Sequence, residues 1–265
     1  MGSPFTIAVK DVCKRFPDGT LALEGVNAEV RAAEFVSLVG PSGCGKSTLL
    51  RILAGLEPIS SGQVTVGGFA PGTPQARAEM AFVFQEPTLL PWRTVLHNVA
   101  LPLELRGVGS QERLARAQEV LGLVGLSARA GAFPRALSGG MKMRVSIARA
   151  LITQPKILLM DEPFGALDEL TRQRLGDELL SIKQATGATV VFVTHNMFEA
   201  VYLSQRILVM TPHPGRVAEV LEVPVAYPRT PEFRASDTYG KLVYQVLSVL
   251  EGGPAVPPKP DEVQA

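Results

Sequence analysis

The stretch Phe35-Val36-Ser37-Leu38-Val39-Gly40-Pro41-Ser42-Gly43-Cys44-Gly45-Lys46-Ser47-Thr48 decides the fold. Its apolar start reads as a strand over Phe35–Val39, Gly40–Ser47 matches G-x-x-x-x-G-K-[ST], and helical spacing follows over Ser47–Leu56. Glycines in such a turn let consecutive backbone N–H groups point inward around phosphate oxygens, at the positive end of the following helix. Lys46 is expected to reach the β- and γ-phosphates, and the Ser47 hydroxyl to hold Mg²⁺. The expected nucleotide-binding stretch is Gly40, Pro41, Ser42, Gly43, Cys44, Gly45, Lys46, Ser47 and Thr48, with Cys44 read as structural and not as a nucleophile.

Outward from this loop, β-rich runs alternate with helical patterns, which predicts an α/β fold with a largely parallel central sheet. The expected strands are Ile7–Lys10, Val26–Val30, Phe35–Val39, Gln63–Val66, Met80–Phe84, Ile157–Met160, Thr189–Thr194, Arg206–Met210 and Val217–Leu221. Between Val95 and Ile152 no strand is expected, while Gln111–Gly125 and Met141–Ile152 carry helical spacing, so a helical insertion is predicted. Tyr239–Leu250 reads as an amphipathic helix through Leu242, Val243, Val246, Leu247 and Leu250. The proline-rich end, residues 252–265, is expected to be disordered.

Ile157-Leu158-Leu159-Met160-Asp161-Glu162 carries the second signal. Four apolar residues make a buried strand, and two carboxylates emerge at its C-terminal end, where parallel sheets collect ligands. Asp161 is placed to bind Mg²⁺, and Glu162 to polarise an attacking water.

Composition narrows the setting. Apolar residues make up 46% of the 265 and charged residues 19%, as in a globular protein. A net charge of +1 argues against a protein that coats nucleic acid, so no nucleic-acid partner is expected. Cys13 and Cys44 stand far apart, and His97, His195 and His213 are scattered, so neither a disulfide framework nor a zinc site is expected. Met1–Thr6 has no signal-peptide pattern, and no apolar run approaches the ~20 residues that span a bilayer.

Leu137-Ser138-Gly139-Gly140-Met141 resembles the signature of ATP-binding-cassette (ABC) ATPases, with Ser138 lying 23 residues before Asp161. In the same order, Gln85 resembles the glutamine of the family's Q-loop, Gly165-Ala166-Leu167-Asp168 its D-loop, and His195 its switch histidine. Phe16 resembles the aromatic that stacks on adenine, although an aromatic so near a core serves packing as readily. The resemblance covers roughly residues 5–225. It implies a P-loop NTPase (RecA-like) core with an antiparallel β subdomain and an inserted helical subdomain. The implied divisions are an ATPase domain over 5–235, a helical subdomain near 88–155 and a C-terminal helix over 236–251.

The resemblance also implies roles. ATP and Mg are the implied cofactors, with Ser47, Gln85 and Asp161 around the metal. Glu162, His195 and Lys46 form the implied catalytic set, with Glu162 as general base. Ser138, Gly139 and Gly140 would meet the ATP of a second cassette, each phosphate loop facing the other chain's signature. At the signature's fifth position, commonly Gln in the family, stands Met141, which puts that side chain's polar contact in doubt.

Residues Gln85–Val95, Met141–Val145 and Asp161–Arg172 are similar to importers of the nitrate/taurine/sulfonate type. This implies a peripheral subunit on the cytoplasmic face of the inner membrane, partnered by a second cassette, membrane-spanning permease subunits and, indirectly, an external solute-binding protein. Nitrate, taurine, alkylsulfonates and thiamine-precursor pyrimidines all remain open as cargo. Trp92, the only tryptophan, either meets the membrane subunit or packs within its own subdomain. A cassette serving DNA repair or translation, or a non-hydrolysing module, are the competing readings. The first would bring tandem cassettes, coiled coils or basic tails, and the second a broken catalytic set; neither feature is found.

Overall fold

The computed structural model describes residues 5–252. In chain order the elements are β1 Phe5–Arg15, β2 Leu21–Arg31, β3 Phe35–Val39, α1 Lys46–Leu53, β4 Ser61–Val66, α2 Pro74–Glu79, β5 Met80–Val83, α3 Val95–Leu105 and α4 Ser110–Leu123. There follow α5 Gly139–Leu151, β6 Ile157–Asp161, α6 Glu169–Thr186, β7 Thr189–Thr194, α7 Met197–Leu203, β8 Arg206–Thr211, β9 Arg216–Glu222, α8 Pro231–Arg234 and α9 Asp237–Leu250. The expected disordered end, beyond Gly252, lies outside the described residues.

Two sheets form. β2-β1-β4 is antiparallel, and the larger sheet runs β5-β6-β7-β3-β8-β9, parallel except for the final β8–β9 pair. β3, β6 and β7 are buried at every position, as strands covered on both faces must be. Their two faces feed two cores by simple alternation. Ile157, Leu159, Val191 and Val193 pack with α1 and the antiparallel sheet, while Leu158, Met160, Val190 and Phe192 pack with the remaining helices. Val243 and Val246 of α9 belong to that second core. This is the P-loop NTPase arrangement implied by the sequence, with its antiparallel sheet.

All nine expected strands form, several longer by a few residues at their ends. No strand lies between Val83 and Ile157, where α3, α4 and α5 contribute Val99, Leu103, Leu121, Val145 and Ala148 to one core. Five helices were not expected: the short α2 and α8, each opening on a proline, and α3, α6 and α7. In α3, Pro102 sits inside the helix and breaks the usual signal; its start is fixed by Thr94, whose hydroxyl accepts from the His97 amide. In α6, the buried Leu175, Leu179, Leu180 and Ile182 are diluted by charged neighbours. α7 is only seven residues long, too short to show a period. Trp92 is 71% exposed, so it does not pack within the helices. No helix among the described residues is long and apolar enough to cross a membrane.

Candidate functional site

Sheet order assembles the site. β5, β6, β7 and β3 are neighbours whose registers align Val83 with Met160, Asp161 with Val193, and Val39 with Thr194. Their C-terminal ends therefore release Gln85, Asp161-Glu162, His195 and the Gly40 loop along one edge, where the chain's ligand crevice is expected.

The loop enters α1 through Gly45, whose φ of 91° is in the left-handed region that favours glycine; a Cβ there would also lie 2.5 Å from Leu23 Cδ2. No side chain caps α1, and no acid sits in its first turn. Its leading amides thus lack side-chain partners and face outward with the positive helix end, a ready anion site. Lys46 is buried; its Nζ donates to the Gly40 and Pro41 carbonyls at 2.8 and 3.0 Å. Cys44 is fully buried, and desolvation pushes its thiol pKa up, which keeps it protonated and packed. Gly40 faces it so closely that a Cβ would lie 2.6 Å from both Cys44 Sγ and the Met210 carbonyl.

Across 114 positions of sequence, Ser47 Oγ donates to Asp161 Oδ1 at 2.7 Å. Burial raises the Asp161 pKa, opposed by the Ser47 hydrogen bond and by the charges of Arg51 and Lys46. A hydroxyl and a carboxylate side by side are hard oxygen donors of the kind Mg²⁺ takes alongside phosphate and water. Among the described residues no cluster of three His, Cys, Asp or Glu stands ready to hold a metal. A cation here would need oxygens from elsewhere, as a bound phosphate chain supplies.

Glu162 follows with φ of 42°, a left-handed conformation that is uncommon for any residue but glycine and marks local strain. Its Oε2 lies 3.0 Å from Nδ1 of His195; a carboxylate only accepts, which assigns the proton to Nδ1. A Cβ on Gly165 would lie 3.7 Å from Glu162 Oε2 and 3.8 Å from Gln85 Nε2, so these two side chains flank one small residue.

A cleft of about 470 Å³ gathers Phe16, Ser42, Gly43, Gly45, Lys46, Ser47, Thr48, Gln85 and Glu162 of the expected residues. Gly40, Pro41, Cys44, Asp161 and His195 do not line it, though the Gly40 and Pro41 carbonyls accept from Lys46, Asp161 accepts from Ser47 and His195 contacts Glu162. Phe16 is half-buried with one ring face beside Lys14, whose Nζ is 4.9 Å from the centroid. Thr20, Leu21, Ala22 and His213 also line the cleft and were not expected. His213 belongs to the β8–β9 turn, and nothing in its local sequence announces this position.

Ser138, Gly139 and Gly140 are absent from that cleft. Ser138 and Gly139 are exposed at the start of α5, where Ser138 Oγ accepts from the Met141 amide. Beside them lies the start of α6: a Cβ on Gly139 would lie 3.7 Å from Leu167 Cδ2, and one on Gly140 2.8 Å from Thr171 Cγ2. Asp168 caps α6 by accepting from the Thr171 amide at 3.0 Å, which lowers its pKa. Met141 packs against the core with no polar task. The expected residues thus fall into two groups, a walled cleft and a patch in which Ser138, Gly139 and Asp168 are exposed and Gly140 is buried.

The known proteins agree on a common kind. A sequence model described as ABC transporter matches residues 23–165, from β2 through Gly165. The taurine import ATP-binding protein TauB of Rhizobium johnstonii is 53% identical over 196 residues, 74% of each chain. The aliphatic sulfonates import ATP-binding protein SsuB of Bacillus cereus is 39% identical over 251 residues, 94% of this chain and 97% of the relative. Among solved structures, a dimeric ATP-binding cassette, MJ0796, bound to ADP and Pi after hydrolysis superposes with TM-score 0.74 at 35% identity, covering 83% of this chain and all of that one. CbiO1 of Clostridium perfringens, part of the transporter complex cbiONQ, reaches 0.76 at 26% identity, covering 83% and 90%.

Proposed function

The chain belongs to the ABC transporter family as an ATP-binding ATPase of the importer type, and from that premise we propose that two copies sandwich two ATP molecules and power uptake of a small sulfonate such as taurine. The observation that carries the sandwich is the separation of Ser138–Gly140 from the chain's own cleft. A helix start exposed at Ser138 and Gly139, with Gly140 buried behind them, suits the γ-phosphate of an ATP held by another copy. CbiO1 and MJ0796 support the assembly by analogy, one as part of a transporter complex and the other as a dimer.

Within the cleft, the Gly40–Thr48 amides and Lys46 hold the phosphates, and Phe16 offers its free face to the base. Lys46 exchanges its two carbonyl acceptors for phosphate oxygens. Ser47 and Asp161, with Gln85, would hold Mg²⁺, which would supply charge neutralisation on the phosphates. Glu162 takes a proton from the attacking water, while His195 orients that carboxylate and reaches toward the γ-phosphate.

We assign α3–α5 and the Gln85–Val95 loop to the subdomain that receives separate membrane subunits on the cytoplasmic side. The exposure of Trp92 supports that role. The sulfonate cargo rests on the names of the importer relatives, and a ligand screen against the solute-binding protein of the native complex tests it.

Glu162→Gln keeps the shape of the side chain and removes the base. It should bind ATP while turnover falls roughly 10²–10⁴-fold. Lys46→Ala should lose turnover with weakened ATP binding. Unchanged hydrolysis in either variant refutes the site assignment.

A further inference from the structure

One side chain joins the exposed Asp168 loop to the loop of His195. Arg172, at the first turn of α6, places its guanidinium among three acceptors. Nη2 donates to the Leu167 carbonyl at 2.9 Å, Nη1 to Glu169 Oε2 at 3.0 Å, and Nε lies 3.1 Å from Glu199 Oε1. The other oxygen of Glu199 accepts from the Thr194 hydroxyl at 2.5 Å. Thr194 immediately precedes His195, and its Oγ1 also accepts the Asn196 amide at 3.0 Å. Asn196 in turn caps α7 through the Phe198 and Glu199 amides.

The Arg172–Glu199 contact is an ion pair in which Nε makes no hydrogen bond, and through it a chain of contacts runs from the Leu167 carbonyl by way of Arg172, Glu199 and Thr194 to the backbone that carries His195. Its members are sheltered: the Arg172 side chain is 18% exposed, that of Glu199 10%, and Thr194 is buried. An ion pair sheltered from water is little screened, and the hydrogen bonds at either end of this one hold its two side chains in place. Neither Arg172 nor Glu199 lines the nucleotide cleft.

We infer that Arg172 and Glu199 are positioning residues that lock the 165–168 loop to His195, so that a partner docking on the first sets the second. This rests on the roles proposed above for His195 and for the dimer. The partner's approach bears on Leu167 and Asp168, the guanidinium passes a displacement to Glu199, and Thr194 passes it to His195.

Both side chains also face a cavity of about 390 Å³ between α6, α7 and α9. Shortening Arg172 therefore extends an existing void and does not open a filled core. In the full chain, Arg172→Ala is expected to lower kcat roughly 10- to 100-fold by misplacing His195. KM for ATP should stay within about twofold, because no nucleotide contact is removed. Glu199→Gln should behave alike, and the double variant should lose no more than the weaker single one, as members of one unit do. Arg172→Lys should recover part of the rate, since an ammonium reaches one acceptor but not three.

Amide hydrogen exchange supplies a readout independent of turnover. Exchange over residues 195–199 should quicken in Arg172→Ala although that substitution lies on another helix. An unchanged kcat, multiplicative losses in the double variant, or unaltered exchange over 195–199 overturns the inference. So does a rise in KM together with a lowered unfolding midpoint. Wild type and Glu162→Gln are assayed alongside. If wild type is inert or Glu162→Gln is fully active, the catalytic reading fails, and the exchange measurement still decides whether the two loops are linked.

Discussion

At Glu162 the backbone itself is held in a strained conformation, with φ of 42°, while the side chain is tied to His195. Such strain persists only where surroundings over-determine it; the Glu162 amide donates to the Val193 carbonyl and its carbonyl accepts from Gly165. Gly40 is constrained as tightly by space. Gly40→Ala forces its Cβ against a backbone carbonyl that cannot yield, and is expected to destabilise the fold by roughly 1–3 kcal/mol. Chemical denaturation measures this directly. At this scale the sequence singles out residues by the chemistry their types could perform, as at Lys46, Ser47, Asp161 and Glu162. It was silent on His213 and on the Arg172–Glu199 pair, since partners 27 positions apart announce nothing until α6 and α7 are packed.

Among elements, the long loop after β5 is organised by a single buried side chain. Asn98 Oδ1 accepts from the Leu90 amide, and Nδ2 donates to the carbonyls of Leu90, Arg93 and Thr94. Arg149 of α5 clasps the same loop at the Pro87 and Thr88 carbonyls. Asn98→Leu strips the partners from these groups and should cost roughly 2–3 kcal/mol in unfolding free energy, with the loop around Trp92 loosened first. The start of α6 responds to pH. The Thr171 amide holds the Asp168 carboxyl below its ordinary value of 3.8, so its contribution is fully present above that value. It is lost as pH falls through the lowered folded-state pKa. Asp168→Asn keeps an acceptor at the cap and should remove this acid sensitivity from thermal unfolding curves. Strands were legible because β-branched runs declare themselves. α3 was hidden by Pro102 and α6 by its charges, and tertiary packing, not propensity, is what makes both helical.

For the whole molecule, the sheet edge that gathers Gln85, Asp161, Glu162, His195 and the phosphate loop explains why distant motifs share one site. The α/β class and the antiparallel sheet followed from pattern and resemblance; the strand order became known only with the structure, because registers depend on contacts no local run encodes. Trp92 stands apart from that edge and is expected to serve coupling alone. Trp92→Ala should leave ATP hydrolysis by the isolated chain unchanged while solute uptake by the assembled importer falls at least roughly tenfold. The central claim is that the cleft of one copy is completed by Ser138–Gly140 of another. Sedimentation of Glu162→Gln with and without Mg-ATP tests it most directly. The account predicts a monomer without nucleotide and a doubled mass with ATP, reversed by Ser138→Arg; a mass that stays monomeric while ATP is bound would contradict it.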